Sequence, residues 1–100
     1  MAVATPSREQ QLRLVFFHSK VSGNCRRVEG FVAQVLQRRR NHDTFKVVEV
    51  AEEERPDLLE RFKVDALPTL VVVEGSTVAG RLESPRGCRE IEGFLAPWLT

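Results

Sequence analysis

The segments Val21-Ser22-Gly23-Asn24-Cys25 and Ala66-Leu67-Pro68-Thr69 decide how this sequence of 100 residues folds. The first lies between the apolar run at residues 12–17 and a stretch with helical periodicity, and the second opens a run of valines. Short apolar runs rich in β-forming residues predict buried strands. The sequence therefore predicts a strand, a polar turn that carries a cysteine, a helix, and later a proline directly before another strand.

The stretch that follows Cys25 predicts an amphipathic helix. Its apolar residues recur at the i, i+3, i+4, i+7 and i+8 spacing of one helical face, and they are Val28, Phe31, Val32, Val35 and Leu36. Ser22 or Asn24 is suited to cap the N-terminus, and the arginines at residues 38–40 suit the negative end of the helix dipole. Gly30, inside the helix, predicts either a bend or a close approach to a neighbouring strand.

The rest of the sequence predicts three further strands and two further helices. The strands cover residues 45–50, 70–74 and 77–82, and the helices cover residues 56–62 and a segment that opens at residues 84–87. Gly75 and Ser76 suit a hairpin turn between the last two strands. A helical crossover between the first two strands implies that they pair in parallel. Three glutamates at residues 52–54 are expected to form a solvated loop.

Length and composition fit one small domain. A chain with 42% hydrophobic residues and this length can bury a single core but not two. We expect residues 1–11, which are polar, to form a loose tail or a short helix, and residues 12–100 to form the domain. The net charge of +1 favours neither nucleic acid nor anionic lipid over a protein partner. The arginines at residues 38–40 lack interleaved aromatic residues, so we expect a helix end there and no nucleic-acid site.

Localisation and metal chemistry follow from what the sequence lacks. No window approaches the roughly 18 apolar residues of a membrane span, and the N-terminus has no apolar signal segment. We therefore expect a cytoplasmic protein, with no membrane contact, in a reducing compartment. Two cysteines cannot build a disulfide framework, and no zinc-type spacing occurs. We expect no metal and no cofactor.

These features together resemble the thioredoxin family, whose hallmarks are a Trp-Cys-Gly-Pro-Cys motif at a helix N-terminus and a cis-proline loop. The match at residues 62–70 is specific, because it includes an aromatic residue that ends a helix shortly before the proline. The resemblance covers residues 12–99. It implies an α/β, thioredoxin-like fold with a βαβαββα core, a central mixed four-stranded sheet flanked by helices, and a cis bond before Pro68. The family's extra N-terminal strand has no counterpart, which would leave residues 45–50 at a sheet edge.

Overlaying the family motif on residues 21–25 gives a degenerate Ser-x-x-Cys motif. In this overlay Ser22 takes the position of the nucleophilic cysteine and Cys25 takes that of the resolving cysteine. Val21 takes the position of the tryptophan. Gly23 and Asn24 take the positions of the glycine and the proline. The family's buried acid falls on Phe16. Because serine has no thiol, Ser22 cannot form a disulfide with Cys25, so the sequence does not predict a conventional dithiol–disulfide oxidoreductase.

Three functions remain open. The resemblance implies a protein of cell redox and thiol chemistry that binds a protein partner in a groove beside the cis-proline, with walls formed by Val21, Leu67, Pro68 and Thr69. The second possibility is a monothiol redox protein that forms mixed disulfides with glutathione or a client through Cys25 or Cys88. The third is a disulfide oxidoreductase that works by other chemistry. In each case we expect a monomer.

The two cysteines have different expected environments. In the family the position of Cys25 is the more buried, which raises a thiol pKa, whereas the helix N-terminus and nearby cations lower it. Cys25 is therefore either an inert packed thiol or a redox-active one. Cys88 begins the last helix beside Arg86 and Arg89, an electropositive setting. We expect Cys88 to be the more reactive thiol, and we expect no disulfide between the two.

His18 follows the first strand and is close enough in sequence to Ser22 to suggest a nucleophile pair. Such a pair needs an orienting acid and an oxyanion hole, and the sequence shows neither nearby. We therefore expect His18 to be a half-buried side chain packed beside the site.

Overall fold

The computed structural model of the protein describes residues 12–38 and 45–98. The expected tail at residues 1–11 and the arginines at positions 39 and 40 lie outside these residues. The elements, in chain order, are strand β1 (Leu12–His18), helix α1 (Gly23–Arg38), strand β2 (Lys46–Ala51), helix α2 (Pro56–Arg61), strand β3 (Thr69–Glu74), strand β4 (Thr77–Glu83) and helix α3 (Cys88–Leu95). This is the predicted order, with boundaries shifted by a residue or two in most elements.

The last helix begins at Cys88, as expected for that residue, but the segment at residues 84–87 that was expected to open it lies outside the helix. Ser84 has a φ of 47°, in the left-handed region, and Gly87 is extended, with φ −174° and ψ 179°. Neither conformation continues a helix, so residues 84–87 form a loop and α3 begins at Cys88. Gly30 does not lie against a neighbouring strand, which was one of the two roles expected for it. A Cβ built there would meet nothing within 4 Å. Close approach to a strand is therefore not the reason for this glycine.

The strands form one mixed sheet in the order β2-β1-β3-β4. β1 pairs in parallel with β2 and antiparallel with β3, and β3 pairs antiparallel with β4. The predicted parallel pair and terminal hairpin are therefore confirmed. β2 lies at one edge of the sheet that the described strands form, as expected for residues 45–50.

Each face of the sheet packs against helices. Side chains that alternate along β1 go to opposite faces, so Leu14 and Phe16 join one core and Val15 and Phe17 join the other. The expectation of a single core is therefore wrong, because a sheet covered on both faces buries one cluster on each. The first core is completed mainly by the apolar stripe of α1 and by Ile91 of α3. The second core includes residues of α2 and the segment that follows it. Full burial of one such side chain contributes about 1.5–3 kcal/mol. The thioredoxin-like architecture predicted from the sequence is confirmed.

Candidate functional site

Ser22 caps helix α1. Its Oγ accepts a hydrogen bond from the Cys25 N–H at 3.2 Å, and its carbonyl accepts the first helical hydrogen bond, from the Arg26 N–H at 3.3 Å. This is the geometry in which an N-cap side chain satisfies a free N–H of the first turn. Of the two caps that the sequence allowed, Ser22 is the one used. The hydroxyl at the position of the family's nucleophile therefore has a structural partner.

Cys25 lies one helical turn further on and points inward. The residue is 1% exposed, and its Sγ accepts a hydrogen bond from the Ser19 N–H at 3.5 Å. A polar cavity of about 200 Å³ lies beside it, lined by His18, Ser19, Lys20, Ser22, Cys25, Arg26 and Glu29. A thiol attacks a disulfide only when the sulfur is accessible, and in this conformation the Cys25 sulfur is covered.

The loop between β1 and α1 is tied to the acidic run that follows β2. Ser19 Oγ donates to Glu53 Oε2 at 2.5 Å and the Lys20 N–H donates to Glu53 Oε1 at 3.1 Å. The Lys20 ammonium forms an ion pair with Glu54. The hydrogen bond from the Ser19 hydroxyl lowers the pKa of Glu53 most, and the hydrogen bond from the Lys20 N–H lowers it further. Sequence reasoning treated residues 52–54 as a solvated loop and missed this role, although the parallel pairing of β1 and β2 brings the two loops to the same sheet end.

The second loop of the site precedes β3, and its Leu67–Pro68 peptide bond is cis. Thr69 Oγ1 donates to the Ala66 carbonyl at 2.6 Å, and the Ser84 N–H donates to the Pro68 carbonyl at 2.8 Å. Within the described residues, neither the N–H nor the carbonyl of Leu67 takes part in a hydrogen bond.

β4 also holds the chain just before this loop. The Arg81 guanidinium donates to the carbonyls of Phe62 and Lys63, both at 3.0 Å. These carbonyls follow the end of α2, where Lys63 adopts a φ of 55°. The loop before β3 is thus connected to β4 at two places, through Arg81 and through Ser84.

The sheet register brings the two loops together. Phe17 of β1 pairs with Thr69 of β3, so the residues after β1 and those before β3 lie at the same end of neighbouring strands. The sequence-predicted groove residues Val21, Leu67, Pro68 and Thr69 are all at this end. Val21 is 87% exposed, whereas Pro68 and Thr69 are buried.

His18 lies beside the site but does not pair with Ser22, whose Oγ accepts the Cys25 N–H. The His18 ring stacks on Phe16, with ring centroids 5.0 Å apart, and its Nε2 lies 3.8 Å from Glu49 Oε1. The expectation that no acid lies near His18 is therefore wrong, because the parallel register places Glu49 opposite Phe16. Burial raises the pKa of Glu49, and a hydrogen bond and charge repulsion from Glu29 raise it further.

Cys88 lies away from this site. It is half-buried, and its Sγ lies 3.0 Å from Gln34 Oε1 and 3.9 Å from the Phe31 carbonyl. The thiol therefore faces α1 from the start of α3. Both cysteines are free.

The described parts of the chain contain neither a metal-binding cluster nor a helix that could span a membrane. Across residues 12–38 and 45–98, no three histidine, cysteine, aspartate or glutamate side chains are grouped so that they could hold a metal ion. Among the helices of those residues, none has the length and apolar character needed to cross a membrane.

A mixed four-stranded sheet with a cysteine in the first turn of a helix, beside a cis-proline loop, defines a class of small α/β domains built for thiol chemistry. A family model for thioredoxin matches residues 3–97. The chain therefore belongs to the thioredoxin family.

Solved structures with the same fold come from distant organisms. Thioredoxin from Fasciola hepatica matches with a TM-score of 0.75 and 15% identity, covering 92% of this chain and 85% of that one. Oxidized thioredoxin O2 from Arabidopsis thaliana matches with a TM-score of 0.75 and 13% identity, covering 94% of this chain and 83% of that one. The germline-specific thioredoxin Deadhead from Drosophila melanogaster matches with a TM-score of 0.76 and 17% identity, covering 93% of this chain and 86% of that one. No curated protein sequence gives a significant match.

Replacing Ser22 with alanine should lower the free energy of unfolding by about 1 kcal/mol, because the first turn of α1 loses its cap. Ser22→Asn, which keeps an oxygen acceptor, should stay close to the unmodified protein. Urea denaturation of the three proteins measures the difference. Equal stability of the alanine variant and the unmodified protein would contradict the capping role.

Cys88 should react with a thiol-modifying reagent faster than Cys25 at neutral pH, because its residue is half-buried while Cys25 is 1% exposed. Mass spectrometry of a timed labelling series, with each cysteine assigned by peptide, measures the two rates. Denatured protein, in which both thiols are exposed, is the control. If Cys25 reacts first in the folded protein, its sulfur is more accessible than the structure indicates.

Proposed function

We propose that this thioredoxin-family protein serves cellular thiol chemistry as a binding protein and has no disulfide reductase activity of its own. It binds an extended segment of a protein partner, as a monomer in a reducing cytoplasm, against Val21 and the backbone of Leu67. Pro68 and Thr69, which were expected to line the same groove, are buried and support it from within. One observation carries the proposal: the hydroxyl at the nucleophile position caps helix α1. The burial of the remaining motif thiol, Cys25, agrees with it.

The chemistry of disulfide reduction supports this. A thiolate attacks one sulfur of the substrate disulfide, a mixed disulfide forms and the other sulfur leaves as a thiolate; a second thiol then resolves the mixed disulfide. Ser22 offers an oxygen in place of the attacking sulfur, so no mixed disulfide forms at that position. Cys25 has no partner thiol one turn before it. Neither half of the exchange reaction is available to the motif.

Recognition of an extended segment does not need the missing thiol. Main-chain hydrogen bonds give affinity to a segment that lies along an open backbone, and pockets for alternate side chains give specificity. The unpaired backbone of Leu67 supplies the first requirement. The exposed side chain of Val21 supplies apolar surface on the opposite wall.

A monothiol role is the second candidate, and the exposure of Cys88 favours it over a dithiol role. In that reaction the Cys88 thiolate attacks the disulfide of oxidised glutathione, a mixed disulfide forms, and one glutathione leaves as a thiolate. The labelling rates of the two cysteines separate the candidates. If Cys88 reacts slowly with the thiol-modifying reagent, this reaction lacks a nucleophile.

The unmodified protein should show negligible disulfide reductase activity with insulin as substrate and a chemical reductant supplied. Ser22→Cys creates a second thiol one helical turn from Cys25, so this variant should form an internal disulfide under mild oxidant and gain weak activity. The double variant with Ser22→Cys and Cys25→Ser is the control for a lone thiol at position 22. Catalytic reduction by the unmodified protein would refute the proposal.

The groove should bind extended peptides selected by display against the full chain. Val21→Asp should weaken their binding by about tenfold, which corresponds to about 1.4 kcal/mol, because it places a charge on an apolar wall. Val78→Asp is the matched control, since Val78 is also an exposed valine, 48% accessible, but lies on β4. Fluorescence polarisation measures both. An equal loss of peptide affinity in the two variants, or no loss in either, would contradict peptide binding in the groove.

A further inference from the structure

The motif loop, residues 19–22 between β1 and α1, covers the buried thiol of Cys25. The Ser19 N–H donates to Cys25 Sγ at 3.5 Å, and Ser19 and Lys20 line the polar cavity of about 200 Å³ beside that residue. Cys25 is 1% exposed with the loop in this position. Movement of Ser19 and Lys20 away from α1 would therefore widen the cavity onto the sulfur.

One carboxylate connects this loop to the turn that follows β2. Glu53 accepts a hydrogen bond on each oxygen, from Ser19 Oγ on Oε2 at 2.5 Å and from the Lys20 N–H on Oε1 at 3.1 Å. Both bonds lower the pKa of Glu53, so the group is ionised at neutral pH, and hydrogen bonds to an ionised acceptor are stronger than neutral ones. Ser19 is therefore bonded to Cys25 through its N–H and to Glu53 through its hydroxyl.

The turn after β2 holds this carboxylate in place. The Ala51 carbonyl accepts the Glu54 N–H at 3.0 Å and the Arg55 N–H at 2.9 Å, and these two hydrogen bonds close the turn that contains Glu53. Ala51 pairs with His18 in the parallel register of β1 and β2, so the turn and the motif loop begin at neighbouring positions. The register and the turn together place Glu53 against the motif loop.

The two neighbouring glutamates do not share this role. Glu54 pairs with the Lys20 ammonium, which lies at the end of a long exposed side chain, and exposed ion pairs of this kind contribute little. In the described parts of the chain, the Glu52 side chain forms neither a hydrogen bond nor an ion pair. All three glutamates are exposed, so Glu52 is a matched control for the charge of Glu53 without its contacts.

We propose that Glu53 is a positioning residue that controls access to the Cys25 thiol, because its carboxylate holds the motif loop closed over the sulfur through Ser19 and Lys20. Loss of these two hydrogen bonds opens the loop locally and exposes Cys25 to thiol reagents, while the rest of the domain stays folded. This control goes beyond the proposed function, since it does not depend on a partner in the groove beside Pro68.

The test measures how fast iodoacetamide labels Cys25 in the full chain at neutral pH. Glu53→Ala should raise this rate about fivefold or more, because the loop loses two charge-assisted hydrogen bonds. Glu52→Ala should leave the rate unchanged, and the rate of Cys88 should be the same in all three proteins. Mass spectrometry of a timed series assigns each rate by peptide. An unchanged Cys25 rate in folded Glu53→Ala, or an equal rise in Glu52→Ala, overturns the proposal.

A second variant tests whether Glu53 acts through Ser19. Ser19→Ala should also raise the Cys25 rate, by a smaller factor than Glu53→Ala, because the bond from the Lys20 N–H remains. The double variant should react at about the rate of Glu53→Ala alone, since both changes remove the same hydrogen bond. A double-variant rate nearer to the product of the two single factors would show that the residues act independently and would overturn the proposal.

Amide hydrogen exchange separates local opening of the loop from general destabilisation. The amides of Ser19 and Lys20 should exchange faster in Glu53→Ala than in the unmodified protein, whereas those of β3 (Thr69–Glu74) should exchange at unchanged rates. Faster exchange throughout β3 would show that the variant exposes Cys25 by loosening the whole domain, which would overturn the proposal. Circular dichroism establishes that each variant is folded, and Ser19→Ala carries the test if Glu53→Ala is not.

Discussion

The pairing of β1 on both sides is the constraint on which the rest of the structure depends. β1 is bonded in parallel to β2 and antiparallel to β3, and its alternating side chains enter both cores. Because β2 runs parallel to β1 and β3 runs against it, the chain leaves β1 and β2 and enters β3 at one end of the sheet. The motif loop, the acidic run and the cis-proline loop therefore meet there, although up to about 50 residues separate them in sequence.

Local patterns account for what could be predicted from the sequence. The continuous apolar run of β3 and the periodic apolar stripe of α1 are both local signals, so these elements and the parallel crossover follow from the residues alone. The conformation of residues 84–87, just before α3, could not be predicted in the same way. Ser84 at positive φ and extended Gly87 are conformations set by the surrounding structure, and a proline two residues before a glycine is compatible with either a loop or a first helical turn.

The site was only partly predictable, for a different reason. Ser22 and Cys25 are three residues apart in sequence, so their relation on one helical turn is local. Glu53 and Glu49 act on residues of the preceding strand and loop, and that relation exists only through the β1–β2 register. Three consecutive glutamates predict only a solvated loop. The contact between Glu53 and the Ser19 hydroxyl arises because β1 and β2 pair in parallel. Contacts of this kind need the tertiary structure.

The connections from β4 to the loop before β3 bear on how a partner would be bound. Arg81 and Ser84 hold that loop through carbonyl groups of Phe62, Lys63 and Pro68. Association is weakened by the conformational entropy lost when mobile segments become ordered. A loop that is already held in place loses little such entropy, so the ordering cost of a complex would fall on the partner's segment. Partners whose segments are extended before binding would then have the advantage, whatever their side chains.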